Sequence, residues 1–168
     1  MSALMKRPRD WYRWTAYVLL PSAVVLLAIG AIGMKLFSVA HSSASAARAE
    51  SLQAARAATV ALLTYNAATV EQDLNNARSK LTAPFLDEYA KLITTQVIPS
   101  AKEKQTSAAA QVPALASVSA TGSHAVALVF VDQTIASANQ PATTTSSSIR
   151  VTLDKIDGRW LVSRFDPV

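Results

Sequence analysis

Six side chains have the types and surroundings for proton chemistry: the carboxylates Asp73, Asp87, Glu88 and Asp132, and the phenols of Tyr65 and Tyr89. A carboxylate base beside a phenol donor can move a proton next to a carbonyl, the phenol holding the charge that develops on oxygen. Asp87 and Glu88 are adjacent, between Pro84 and Lys91, and read as an exposed helix face. Asp73 faces away from the apolar side of its helix. Asp132 alternates in phase with Val126, Leu128 and Phe130, so it is the one acid that could point into a cavity mouth; the plainer reading is a surface acid at a strand end. His41 and His124 have no partner at metal-ligand spacing. No His-x-x-x-His, nucleophile elbow or phosphate-cradling glycine loop occurs, and the chain has four glycines and no cysteine. The residues thus predict no catalytic, cofactor-binding or metal site, and a protein that is not an enzyme.

The elements that would position these groups begin with a membrane segment. Trp14–Met34 is 21 residues without a charge, about 31 Å as a helix, enough to cross a hydrocarbon core. Lys6, Arg7, Arg9 and Arg13 precede it against Asp10 alone, and after Lys35 the next lysine or arginine is Arg48. This asymmetry predicts a cytoplasmic N-terminus and an extracytoplasmic (periplasmic-side) remainder, with Trp11, Tyr12, Trp14 and Tyr17 as an inner aromatic belt. A cleaved signal peptide is the competing reading, since Ser38-Val39-Ala40 has the small-x-Ala pattern. The apolar run exceeds the ~7–15 residues of a signal h-region, and that favours a retained anchor in the bilayer through residues 14–35. The predicted divisions are a basic head over 1–13, an anchor over 14–35, an Ala/Ser-rich stalk over 36–50 and a folded domain over 51–168.

The net charge of +5 is concentrated in the head and anchor: residues 1–35 carry +4 and the rest +1. The basicity is therefore a topology signal rather than a phosphate-binding face, and nucleic acid is excluded as a partner. Without cysteine an exported domain must be held by its own core, which some 130 residues can supply.

Within that domain, Leu52, Ala55, Ala58, Leu62 and Tyr65 recur at helical spacing in an Ala-rich segment. Thr69-x-x-Gln72 has capping-box spacing and opens a short helix with Val70, Leu74, Ala77 and Leu81 on one side. Thr82-Ala83-Pro84 starts a third helix, which Pro99 breaks or bends. The texture then becomes strand-like. Thr106–Ala120 is one strand, with Pro113 at an edge or bulge. His124–Ile135 is the strongest, apolar on both faces and therefore expected to be central and covered. Ser137–Ser148 reads as a polar loop. Ile149–Ile156 and Arg159–Phe165 flank Asp157-Gly158, a two-residue connection suited to a type I′ turn. The expected fold is α+β: a single N-terminal transmembrane helix, then a cone-shaped domain of three helices packed on a curved antiparallel sheet of about four strands. That outline resembles the nuclear transport factor two-like superfold, which ketosteroid isomerase-type enzymes also use.

Several strings occur in order behind the anchor: Leu63-Thr64-Tyr65-Asn66; Leu81-Thr82 with Phe85, Tyr89 and Leu92; Pro99 with Ala101-Lys102-Glu103-Lys104; Val129-Phe130-Val131-Asp132-Gln133-Thr134; Arg150-Val151-Thr152-Leu153; Asp157-Gly158-Arg159-Trp160-Leu161-Val162; and Asp166-Pro167-Val168. Over residues 45–168 this set resembles the Mce-associated membrane proteins, accessory proteins of Mce lipid-import systems. The resemblance implies a non-enzymatic partner of Mce transporter proteins in the cell envelope, with no catalytic residues to carry over. The alternative from the fold outline is a small apolar-ligand carrier, for instance of a lipid, or an isomerase-like enzyme using the cone cavity.

Overall fold

The computed structural model describes residues 44–138 and 140–168. The anchor segment Trp14–Met34, His41 and the cleavage motif Ser38-Val39-Ala40 lie outside the described residues. Among the described residues, no helix is long and apolar enough to cross a membrane.

The first helical stretch, α1, covers residues 44–63. Its buried stripe is Ala47, Ser51, Ala55, Ala58, Thr59 and Leu62, mostly small residues that let the helix lie close on the sheet. The helix is continuous through position 51, where the sequence places the start of the folded domain. Ala47 is already buried, and Glu50 accepts hydrogen bonds from Lys155 Nζ at 2.7 Å and Trp160 Nε1 at 3.2 Å. Residues 44–50 therefore pack as part of the domain.

Helix α2 is Val70–Ala77, continued by a 3-10 turn at Arg78–Lys80. Val70, Leu74, Ala77 and Leu81 are buried, as their spacing predicts. The capping box is not formed: the Thr69 hydroxyl donates to Asp73 Oδ2 at 2.7 Å, and Asp73 also accepts from the Asn66 backbone N–H. Asp73 ties down the turn that enters α2, the task the sequence assigns to Gln72.

Helix α3, Ala83–Leu92, has Thr82 as its N-cap and Pro84 in the first turn, where a missing N–H costs nothing. Pro99 does not end the third helix. A π-helical turn at Ile93–Val97 leads into α4, Ile98–Lys104, with Pro99 in its first turn. Proline has no N–H for the ladder and its ring crowds the carbonyl four residues back, so widening the preceding turn keeps the helix running. Gln105 takes the left-handed conformation, φ 48°, and closes α4.

Four antiparallel strands follow in spatial order β1-β2-β3-β4: Ser107–Ala120, His124–Ser137, Gln140–Ile156 and Arg159–Pro167. Beside Pro113 the β1–β2 register shifts between Gln111 and Ala114, so the proline sits in a bulge on an edge strand. The expected loop at Ser137–Ser148 is instead strand over most of its length. Its Thr/Ser run pairs residue by residue with β2, from Thr143 opposite Ile135 to Ser148 opposite Phe130. Polar composition suggests a loop, but β-branched threonines suit a pleated backbone whose two faces are both wet.

The core lies between the helices and one sheet face: Ala108, Ala110 and Val112 from β1, Ala125 to Val131 in alternation from β2, Ile149, Val151 and Leu153 from β3, and Val162 from β4. Two links lock helices to strands. Tyr65 and Ala108 exchange backbone hydrogen bonds of 2.8 Å, and Thr82 N–H donates to Val162 O at 2.9 Å. The β3–β4 turn is as predicted, with Asp157 at φ 50° and Gly158 at φ 77°. Trp160 beside it reaches back to Glu50 on α1, with Lys155 Nζ 5.5 Å from its ring centre.

Candidate functional site

An apolar cavity of about 440 Å³ lies between α3 with its π turn and the sheet. Its walls include Leu62 and Leu63 from the end of α1, Leu74 from α2, Phe85, Tyr89 and Leu92 from α3, Ile93 and Val97 from the π turn, Gln133 and Ile135 from β2, and Phe165 from β4. The volume falls within the ~300–1,000 Å³ usual for small-molecule sites, and the few polar groups among apolar walls fit that class too. A larger groove of about 680 Å³ runs past Ala57, Ala61 and Ala109 toward Asp73 and Lys80. It is more open to solvent and encloses a ligand less well, so the smaller cavity is the better binding site.

The polar groups of the cavity are mostly committed to the fold. The Gln133 amide donates to Leu63 O at 3.0 Å, and the Tyr89 hydroxyl reaches Leu62 O at 3.5 Å. Both satisfy carbonyls at the C-terminal end of α1, which have no N–H donor of their own within the helix. Burial pushes the Tyr89 phenol well above its ordinary value and raises Tyr65 as well. Both phenols are thus held neutral, as donors or apolar walls.

The carboxylates come near the phenols at two places: Tyr65 and Asp73 both line the larger groove, and Glu88 stands at the rim of the smaller cavity, which Tyr65 and Tyr89 line. Among the described residues no acid is hydrogen-bonded to either phenol. Asp132 stands one residue out of phase with the cavity: Gln133 lines it, while Asp132 faces outward and accepts from Ser146 Oγ. Its phase with Val126, Leu128 and Phe130 is as the sequence indicates, but that face is the outer one, so Asp132 does not point into the cavity mouth. Asp87 and Glu88 are exposed, as expected, with Glu88 at the cavity rim. Asp73 is occupied with Thr69 and Asn66. His124 pairs with Asp154 across the β2–β3 ladder at 2.7 Å. Burial raises the Asp154 carboxyl, but hydrogen bonds from His124 and Ser163 outweigh it and hold the acid low. Among the described residues no group of three or more histidine, cysteine or acidic side chains could hold a metal. The cavity residues Gln133, Ile135 and Phe165 are absent from the sequence-derived candidates. The alternation of Ala127, Val129 and Val131, carried two positions further in each step, would have placed Gln133 and Ile135 inside.

The outer sheet face carries a second feature. The expectation that β2 is covered on both sides is not met among the described residues, whose helices pack on one face. Phe130 is 41% exposed and Val118 65%. Leu128 and Phe130 pair with Ala116 and Ala114 of β1, small neighbours that leave Phe130 exposed and Leu128 half-buried.

Helices laid on one face of a four-stranded antiparallel meander define a class of domain known from solved structures. An IcmL-like type IV secretion system protein from Legionella pneumophila superposes with a TM-score of 0.61 at 14% identity, over 72% of this chain and 93% of that one. The periplasmic domain of DotI gives 0.60 at 19% identity, over 70% and 91%, and a periplasmic fragment of TraM gives 0.60 at 9%, over 70% and 94%. These likenesses establish the fold. No family model matches the sequence. The protein named outer membrane protein Rv1973 of Mycobacterium tuberculosis is 50% identical over 159 residues, covering 95% of this chain and 99% of that protein. A second protein of that organism, Rv1362c, is 36% identical over 172 residues, covering 97% and 78%. The chain belongs to the family of these mycobacterial proteins.

Proposed function

We propose that this protein is a membrane-anchored, non-enzymatic accessory protein whose extracytoplasmic domain assists or stabilises an Mce-type lipid or sterol import complex by contact. The observation that carries the reading is the exposed Phe130 on the outer sheet face, with the half-buried Leu128 next to it on that face. Phe130 lies within one of the strings that resemble the Mce-associated proteins, on a domain in which no acid is hydrogen-bonded to a phenol among the described residues. Exposed aromatic and aliphatic groups on a rigid sheet are suited to contact with another protein. Membership in a family whose relative bears the name of an outer membrane protein, and a fold shared with periplasmic domains, support an envelope location. The anchor over 14–35 would confine the domain beside its partner and raise their effective concentration.

Complementation of a deletion strain tests this by lipid uptake. Phe130→Ser should lower uptake while the domain still folds, since a side chain 41% exposed adds little to the core. Asp132→Asn should leave uptake near normal. Loss of uptake in Asp132→Asn, with the Phe130 variant unaffected, would refute a contact role.

The cavity favours a second reading, an apolar-ligand carrier. Ile135 is 39% exposed at its rim, so Ile135→Trp can narrow the entrance without disturbing the buried layer. That variant should abolish uptake if the cavity carries lipid, and leave it unchanged if the domain works by contact.

A further inference from the structure

Strand β3 is longer than the strand that flanks it. Strand β4 pairs with it from Ile156 to Ile149, and the last bond of that lane runs from Val168 N–H to Ser148 O at 3.0 Å. From Ser147 back to Gln140, β3 pairs with β2 on one side and, among the described residues, with nothing on the other. Backbone groups alternate sides along an antiparallel strand. Because Ser148 faces the β4 lane, Ser146, Thr144 and Ala142 turn their N–H and C=O toward the same open side.

Such edges are usually guarded by lysine, proline or a bulge. This one is not. Residues 142–148 read Ala-Thr-Thr-Thr-Ser-Ser-Ser, without charge or proline, and the β2–β3 register is unbroken from Thr143 to Asp154. Residues 140–147 are exposed on both faces, so no pocket along the strand would select the side chains of a foreign peptide. The open positions are instead symmetric about Thr144.

We propose that two copies of this chain pair through this edge, β3 against β3 in antiparallel register, with the two-fold axis at Thr144. Thr144 then meets Thr144 of the second copy, and Ala142 meets Ser146 in both directions. All three open residues of each copy donate and accept, and Ser148 keeps its bond to Val168. Thr143 faces Thr145 across the seam, a cross-strand pairing that is itself favourable. No like charges meet. The sheet becomes continuous across the two copies, and its helix-bearing faces lie on the same side. Three of the exposed large apolar side chains, Leu92, Ile135 and Val168, belong to this end of the domain. The pairing is isologous and closed, so it stops at two.

The register gives a specific test, because the chain has no cysteine of its own. Thr143 and the second copy's Thr145 would form a non-hydrogen-bonded pair with Cα atoms about 4.5 Å apart, within disulfide reach. Full-length Thr143→Cys and Thr145→Cys proteins, tagged differently and co-expressed, should form a mixed disulfide dimer in membranes on mild oxidation, at several-fold higher yield than either variant alone. Adding Thr144→Pro to both should abolish the cross-link without lowering the melting temperature, since the Thr144 N–H has no partner among the described residues of its own chain. Thr144→Lys in both copies should abolish it by charge repulsion, and Lys in one copy with Glu in the other should restore it. A mixed dimer no more abundant than the single-variant dimers, or one that persists with Thr144→Lys in both copies, would overturn the proposal.

Discussion

Gly122 and Gly158 provide a matched pair of sites for measuring backbone strain. A Cβ added at either meets nothing within 4 Å, so neither substitution creates a clash. They differ in backbone: Gly158 sits at φ 77°, and Asp157 before it at φ 50°, the geometry of a type I′ hairpin turn. Valine at 158 would have to hold a left-handed conformation with a branched Cβ, which costs on the order of 1–3 kcal/mol. For a domain of this size that is a fall of about 4–12 °C in melting temperature, taking roughly 4 °C per kcal/mol. Asparagine tolerates the same conformation, so Gly158→Asn should lose only a fraction of that. Gly122→Ala should be neutral or slightly stabilising, because it restricts the unfolded chain without straining the fold. Thermal melts of the full-length protein in one detergent, followed by far-ultraviolet circular dichroism, measure all three. If Gly158→Val melts with Gly158→Asn, the turn does not impose positive φ at that position and the strain argument fails.

Other expectations follow from the buried polar groups and the link between helix and sheet. The Thr59 hydroxyl is fully buried without a hydrogen-bond partner among the described residues, so Thr59→Val should stabilise the domain by about 1 kcal/mol in a denaturant titration. Burial raises the Tyr89 phenol above its ordinary 10.0. The corresponding stability is fully present below pH 10 and falls as pH rises beyond it, because the unfolded chain releases a proton that the fold retains. Wild-type protein should therefore lose stability more steeply than Tyr89→Phe between pH 10 and 11. Hydrogen bonds from Lys155 and Trp160 hold the Glu50 carboxyl below its ordinary 4.5. The link to α1 is intact above that value and is lost as pH falls through the depressed one. Trp160 emission should change with this titration in wild type and not in Glu50→Gln.

The elements with regular spacing were legible from the residues. The α1 and α2 stripes, the Pro84 start of α3, the bulge at Pro113 and the Asp157-Gly158 turn all follow local rules that tertiary packing did not override. The misreadings arose where one local pattern had two physical outcomes. A Thr/Ser run can be a loop or a wet strand, and only its pairing with β2 makes residues 140–148 a strand. Apolar residues on both faces of β2 signal burial only if something covers both, and the described helices, on one side, leave Phe130 exposed. Pro99 usually ends a helix, but a π turn absorbs it here. At the site, Asp132 was conspicuous because it is charged. Gln133 lines the cavity, and its position followed from the same alternation read one residue over.

The central claim, that the domain acts by contact with a lipid-import complex through its outer sheet face, is tested most directly by affinity purification of full-length protein from membranes in mild detergent. Wild type, Phe130→Ser and Asp132→Asn would be compared at equal expression, with co-purifying proteins and lipids both identified. The account predicts Mce transporter proteins with wild type and Asp132→Asn, and their loss by at least several-fold with Phe130→Ser. Recovery of a bound lipid with no transporter protein from any of the three would contradict it.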